Sequence, residues 1–338
     1  MRDRTVRRWA AVKDSTYFPA TVLVLILAAA AGLFAGSYTF AMADPAPHRV
    51  PVAVVGVSHQ TVRGAAFATG LERQLDASLT LLFERSFARA AQAVEEQRVF
   101  GVIEVHGDDV TMNVSSASGA SVAQLLAEAA PKVAPLVGVR LTVRDMKPLQ
   151  RGDPRGLALF YITLAAVVIG FIGAVQLSVN AGALGAGERI AFTAAYAALG
   201  GLSIVAAVDW GLGALDLPVL ESWFILALTM FASGMVFTMF NTLVRRWAML
   251  PTWGLMVLLG NPSSGGAVSW PLLPSPLGTI GRWLPPGASI NAQHTAVYFG
   301  EHQSAAPFLV LAAWALVSCV VFLVWRDRHP QGRAAATA

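Results

Sequence analysis

The sequence predicts a polytopic α-helical membrane protein: six transmembrane helices in a one-plus-five arrangement, with an extracytoplasmic α+β domain between the first and second. Three observations carry that prediction. Apolar residues make up 55% of the 338-residue chain and charged residues 13%, with a mean hydropathy of +0.58; soluble domains hold about 25% charged residues. Uncharged runs of the length that crosses a bilayer, about 17–25 residues, recur along the chain. Only one stretch, 44–156, is long and polar enough for a folded domain.

Residues 1–18 form a charged arm. Within it Thr5–Tyr17, with Val6, Trp9, Ala10, Val12 and Tyr17 among charges, is a candidate interfacial helix. The first span, Pro19–Met42 within 19–43, has no charge between Asp14 and Asp44. Gly32 and Gly36 in it have the G-x-x-x-G spacing that lets helices pack closely. Ala41-Met42-Ala43 has the form of a signal-cleavage site, but a signal core is about 7–15 residues and this run is much longer. An uncleaved anchor is expected.

The domain alternates strand and helix patterns. Val50–Val57 reads as a strand, Ala66–Ala77 as a helix and Leu79–Phe83 as a strand. Ser86 is placed to cap a helix bearing Phe87, Ala90, Ala91 and Val94 at helical spacing. Val99–Val105 and Val110–Val114 read as a hairpin turning at Gly107-Asp108. A helix with Val122, Leu125, Leu126 and Ala129 on one face follows, ended by Pro131, and Val139–Val143 is the last strand. The pattern suggests a small α+β sandwich with one helical layer. Asp153-Pro154-Arg155-Gly156 then turns the chain into the membrane, with Arg155 at headgroup level.

The five-helix membrane region, 157–325, opens with spans at Leu157–Val179, Ile190–Val208 and Trp223–Val244. Trp247–Gly260 is short for a crossing, and Ala305–Trp325 is the last span, ahead of a tail at 326–338. Arg2, Arg4, Arg7, Arg8 and Lys13, then Arg189, Arg245, Arg246, Arg326, Arg328 and Arg333, all fall on one side. The short loops opposite hold Arg282 with Asp209, Asp216, Glu221 and Glu301. The positive-inside rule therefore places both termini in the cytoplasm, and the arginines crowding 140–155 belong to a long translocated domain that the rule exempts. The chain holds 21 arginines against three lysines and is rich in Ala and Gly. That bias reads as a GC-rich bacterial gene, so the expected location is a bacterial cytoplasmic membrane.

Several chemistries are missing. None of Lys13, Lys132 and Lys147 follows a glycine, so there is no P-loop, and neither G-x-S-x-G nor H-E-x-x-H occurs. His48, His59, His106, His294, His302 and His329 are scattered; His106 beside Asp108 and Asp109 reads as a solvated hairpin end rather than a metal cluster. Cys319 alone builds no disulfide or zinc site. No catalytic residue, metal, cofactor or nucleic-acid partner is expected. The spans hold amides and hydroxyls but no interior charge of the kind that marks proton relays. Gln176 and Asn180, four apart on one helix face, are candidates for bridging helices or lining a path.

The most unusual segment is the Pro/Gly/Ser-rich run after the short fifth span, 261–300. It keeps Trp270, Leu272, Leu273, Leu277, Ile280, Trp283 and Leu284 among its prolines. Irregular backbone at membrane depth survives only when buried in protein or facing water. Asn261, Pro262, Ser263, Ser264, Gly265 and Gly266 are therefore candidates for an outer re-entrant or gate element, with Ser263, Ser264, Gly265 and Gly266 as its turn and Trp270 and Trp283 as its interfacial anchors.

The single first span, the domain opening Pro51-Val52-Ala53-Val54-Val55 and the run Val99-Phe100-Gly101-Val102-Ile103 make a plan that resembles a known one. With Asp153-Pro154-Arg155-Gly156, Gly260-Asn261-Pro262-Ser263-Ser264-Gly265-Gly266, Pro271-Leu272-Leu273-Pro274 and Leu284-Pro285-Pro286-Gly287, it is similar to the membrane subunits of type-2 ABC exporters. The branch it resembles is the one containing the phage infection protein family. That resemblance implies a dimer, homomeric or heteromeric, in the lipid bilayer, with a separate ATP-binding subunit, moving a hydrophobic or amphipathic substrate. It also implies paired re-entrant helices on the outer side. The chain departs from the family in the very short loop Asn180–Arg189, which leaves Thr5–Tyr17 as the candidate ATPase dock. The alternative is an ATP-independent envelope receptor or scaffold that works through its extracytoplasmic domain.

Overall fold

The computed structural model describes residues 17–43, 45–56, 62–76 and 78–328; nearly all of Thr5–Tyr17, together with His59 and His329, lies outside them. A first long helix, α1 (Tyr17–Met42), leads into an α/β domain. The domain runs β1 (Val50–Val55), α2 (Val62–Gln74), β2 (Leu79–Glu84), α3 (Phe87–Glu95), β3 (Gly101–His106), β4 (Asp109–Val114), α4 (Ala120–Val137) and β5 (Arg140–Asp145). Its mixed five-stranded sheet has the order β2-β1-β3-β4-β5. β1 is parallel to β2 and β3, β3 and β4 form the hairpin expected at Gly107-Asp108, and β4 is parallel to β5.

Handedness settles where the helices lie. Parallel crossovers are right-handed, so the side a helix takes follows from strand direction and the direction of travel across the sheet. Between β1–α2–β2 and β4–α4–β5 both directions reverse, so α2 and α4 share a face. The β2–α3–β3 crossover reverses only the travel, so α3 must take the other face. The packing agrees. Phe67 and Leu71 of α2 join Leu126 and Val133 of α4 over Val52, Ile103 and Met112. Ala90, Ala93 and Val94 of α3 close on Ala53 and Val102 behind the sheet. This corrects the single helical layer predicted above: a parallel strand pair on each side of β1 demands helices on both faces.

Pro131 does not end α4, which continues to a left-handed Gly138 (φ 69°). Two interior prolines forfeit backbone hydrogen bonds, but the extra turns bury Val133 and Ala134. Ser86 does cap α3, accepting the Arg89 amide at 3.3 Å. Asp108 and Asp109 are held by Arg63 and Arg140.

The remainder is a multi-pass membrane bundle. Its long helices are α5 (Ala158–Asn180), α6 (Ala186–Val205, carried on by a wide turn to Gly211), α7 (Val219–Val244) and, last in the chain, α11 (Ala306–Arg328). Three short helices precede α11: α8 (Met249–Trp253, with wide turns to Gly260), α9 (Ser275–Ile280) and α10 (Pro285–Tyr298). With α1, five described helices are long and apolar enough to span a membrane, against the six predicted. The predicted fifth span stops at Gly260, about 18 Å from Met249 at 1.5 Å per residue.

Backbone-to-backbone approach holds α5, α6 and α7 together. A Cβ on Gly170 would lie 2.6 Å from the Met230 carbonyl oxygen, and one on Gly201 2.9 Å from the Ala227 nitrogen. The Tyr196 hydroxyl donates to the Gly170 carbonyl at 2.5 Å. Gly32 and Gly36 do not play this part, because a Cβ on either meets nothing within 4 Å. α1 instead touches the bundle through Phe34 against Trp253 and through the Asn261 amide, which donates to the Tyr38 hydroxyl at 2.9 Å.

Candidate functional site

At the domain end of the bundle the chain between Gly260 and Ala306 folds into a wedge. Asn261, Ser263 and Ser264 are buried, Ser263 and Ser264 donating to the carbonyls of Leu259 and Asn261. Gly265 takes φ 83°, and the Trp270 indole lies against it, 2.6 Å from where a Cβ would stand. Only glycine meets both demands. Trp270 also donates from Nε1 to the Ser263 carbonyl at 3.2 Å. It is thus folded into the segment instead of projecting as an anchor, whereas Trp283 is 68% exposed.

The wedge has a tip and a base. At the tip, Ser269 accepts from the Ser121 hydroxyl and donates its amide to it, both at 3.0 Å, while the His48 amide donates to the Pro271 carbonyl at 2.7 Å. Leu272 enters the hydrophobic core of the α/β domain itself. At the base, the Trp314 indole donates to the Trp283 carbonyl, and Thr229 and Ser289 bond hydroxyl to hydroxyl at 2.7 Å. Trp314 and Thr229 lie about 12 and 15 Å along α11 and α7 from their domain-side ends at 1.5 Å per residue. The base is therefore sunk well inside the bundle, and α10 climbs back out of it. Prolines at the first two positions of α10 suit a helix start.

Between wedge, domain and bundle is a cavity of about 1310 Å³, larger than the roughly 300–1,000 Å³ of ordinary small-molecule pockets. Its lining includes the apolar side chains of Leu159, Leu273, Trp283, Ile290 and Val310. It also includes Ser116, Ser118, Ser121 and Asn291, and three arginines, Arg49, Arg155 and Arg282. None of these arginines is ion-paired among the described residues; Arg282 rests on the Trp270 ring at 4.9 Å. The one carboxylate in the wall, Asp153, accepts the amides of Leu157 and Ala158 at 3.0 and 2.9 Å and so caps α5. The lining is consequently cationic and mixed with apolar surface.

His294, at the domain end of α10, lies against Tyr298 and Phe299. Burial pushes its imidazole down to about 4, with the Ala117 carbonyl opposing the shift. It is neutral at pH 7.

Of the residues singled out from sequence, the structure gathers Asp153, Arg155, Gly156, Gly265, Gly266, Trp270 and Trp283 around this cavity. Asn261, Pro262, Ser263 and Ser264 form the buried root beneath it. Gln176 and Asn180 sit at the opposite end of α5, exposed, and bond to each other at 3.1 Å, and to no other helix among the described residues. Sequence reasoning missed Arg49, Asn291 and His294 as lining residues. The Pro285-Pro286 pair opening an uncharged stretch was the available signal. Among the described residues no three His, Cys, Asp or Glu side chains converge as metal ligands. In comparisons with protein families, curated proteins and solved structures, the chain matches none.

Proposed function

We propose that this chain is the membrane subunit of an ABC-type exporter in a bacterial cytoplasmic membrane, moving a hydrophobic or amphipathic molecule with a separate ATPase chain as its motor. In this reading both termini are cytoplasmic and the wedge is a re-entrant element on the outer side. The observation that carries it is the cavity beneath the outer domain, whose lining combines apolar side chains with three arginines. Such a lining suits a molecule with an apolar body and an acidic group. The absence of charge inside the spans leaves no ion relay to drive movement, so the energy comes from a partner.

Purification in mild detergent is expected to recover a chain bearing G-x-x-x-x-G-K-[ST], whose ATPase activity rises in the complex. Recovery of no nucleotide-binding chain, with a deletion phenotype that is independent of cellular ATPases, overturns the reading. Deleting 44–150 separates it from a receptor or scaffold role. An exporter subunit keeps its ATPase, whereas a scaffold loses every partner.

A further inference from the structure

The opposite end of the bundle, remote from the cavity, holds a second site. Arg189 of α6, Arg245 at the end of α7 and Arg326 of α11 line a pocket of about 220 Å³ with Thr238, Asn241 and Thr242. Arg189 is only 8% exposed. Its guanidinium donates to the Ala181 carbonyl, and that of Arg326 to the Leu184 carbonyl, each at 3.2 Å. Both are therefore tethered to the α5–α6 loop, and among the described residues neither guanidinium makes a further hydrogen bond. No carboxylate lies within 4.0 Å of any of the three arginines among the described residues. Glu188, the nearest acid in sequence, is spent on the Gly185 amide at 2.7 Å.

A buried guanidinium with no counter-charge is strongly unfavourable, and here three cationic side chains share one small pocket. The geometry points to a phosphate-binding site: we infer that Arg189, Arg245 and Arg326 together hold one phosphate group. Guanidinium forks match phosphate oxygens in pairs. Arg189 stands in the first turns of α6, where the helix end adds partial positive charge. The Thr238 and Thr242 hydroxyls spend their protons on the Gly234 and Thr238 carbonyls, so the guanidinium groups are the donors to phosphate and the threonines only shape the wall. The Asn241 amide is a further donor on the rim. Phe322, buried and beneath the Arg326 guanidinium, closes the apolar side. The pocket is below the size of a drug-sized ligand site, so it takes a headgroup and not a whole substrate. The phosphate belongs either to an anionic membrane lipid or to a small soluble ion. Bound there, it would tie the ends of α6, α7 and α11 to one another. The site is independent of the cavity and of any transported molecule.

The test uses the full chain, delipidated in an uncharged detergent at constant ionic strength. Thermal unfolding and native mass spectrometry follow titration with phosphatidylglycerol, diacylglycerol or inorganic phosphate. Phosphatidylglycerol is expected to raise the unfolding midpoint by several degrees and diacylglycerol to leave it unchanged. R326Q and R245Q should each weaken binding about tenfold, the loss of a charge-assisted contact. R246Q, one residue outside the pocket, should not. R245Q removes an exposed side chain, so it keeps the test valid if R189Q fails to fold. A response to phosphatidylglycerol alone assigns the site to lipid, and a response to inorganic phosphate as well assigns it to phosphate from either source. No response to either, an equal response to diacylglycerol, or an equal loss in R246Q overturns the proposal.

Discussion

The α/β domain and the helical bundle are held together by opposite means. In the domain, large apolar side chains such as Phe67, Leu71, Ile103 and Leu126 are withdrawn from water into a core. In the bundle the outside is as apolar as the inside: Leu199, Leu316 and Val317 are exposed much as Leu226 and Leu311 are buried. Without a solvent contrast, helices associate by close packing and by hydroxyl and amide bonds. Gly170, Gly201 and Gly234, the Thr229–Ser289 pair and the Gln293 amide on the Ser222 carbonyl supply these. The difference teaches that small residues in the bundle do the work that large ones do in the domain.

That contrast can be broken most sharply at Gly170. Leucine there has no room against the Met230 backbone, and overpacking without relief costs about 3 kcal/mol or more. G170L is expected to lose its monodisperse peak in size-exclusion chromatography; a variant that purifies and melts like the parent would refute backbone contact as the glue. Next comes Leu272→Ala, a substitution in the wedge that should weaken the domain. Removing a buried leucine costs about 2–5 kcal/mol, and faster amide hydrogen exchange in β1 and β3 would report it. Exchange changes confined to the bundle would show that Leu272 serves the wrong region for this account.

A smaller effect concerns pH. His294 is held near 4 in the folded protein, against about 6.5 when unfolded. The unfolded chain thus binds the proton first, and stability is lost as pH falls from about 6.5 toward 4. The melting temperature of H294Q should decline less than that of the parent across this window and match its pH trend above it. Least affected of all should be Gly32→Leu, expected within about 0.5 kcal/mol because nothing faces it in the single chain. A marked drop in the melting temperature of the detergent-purified protein would mean that α1 packs against something outside this chain.

The same contrast explains what could be read beforehand. Every strand of the domain falls within two residues of its expected limits, because β1 and β3, buried on both faces, read as near-continuous apolar runs and Gly107 and Ser86 punctuate the chain. The number of helical faces was misjudged because periodicity does not show which side of the sheet a helix takes; strand order does. In the bundle, run length located the long helices, but no pattern distinguished Gly32 and Gly36 from Gly170 and Gly201. Which glycine meets a neighbour depends on helix rotation, and lipid-facing composition does not encode that. The irregular segment was recognised by its prolines and glycines, yet its docking into the domain through Leu272 was not. A single leucine among Pro271, Leu273 and Pro274 carries no period.

The seating of Leu272 in the domain core also imposes an order on biosynthesis. Val143 of the last strand leaves the ribosome well over a hundred residues before Leu272 does, an interval on the order of ten seconds at about 5–20 residues per second. Through that interval the nascent domain has an open notch where Leu272 and Val268 later fit. Completion waits for the wedge to be inserted, so a late part of the membrane region, followed only by α9, α10 and α11, is what seals the first folded unit.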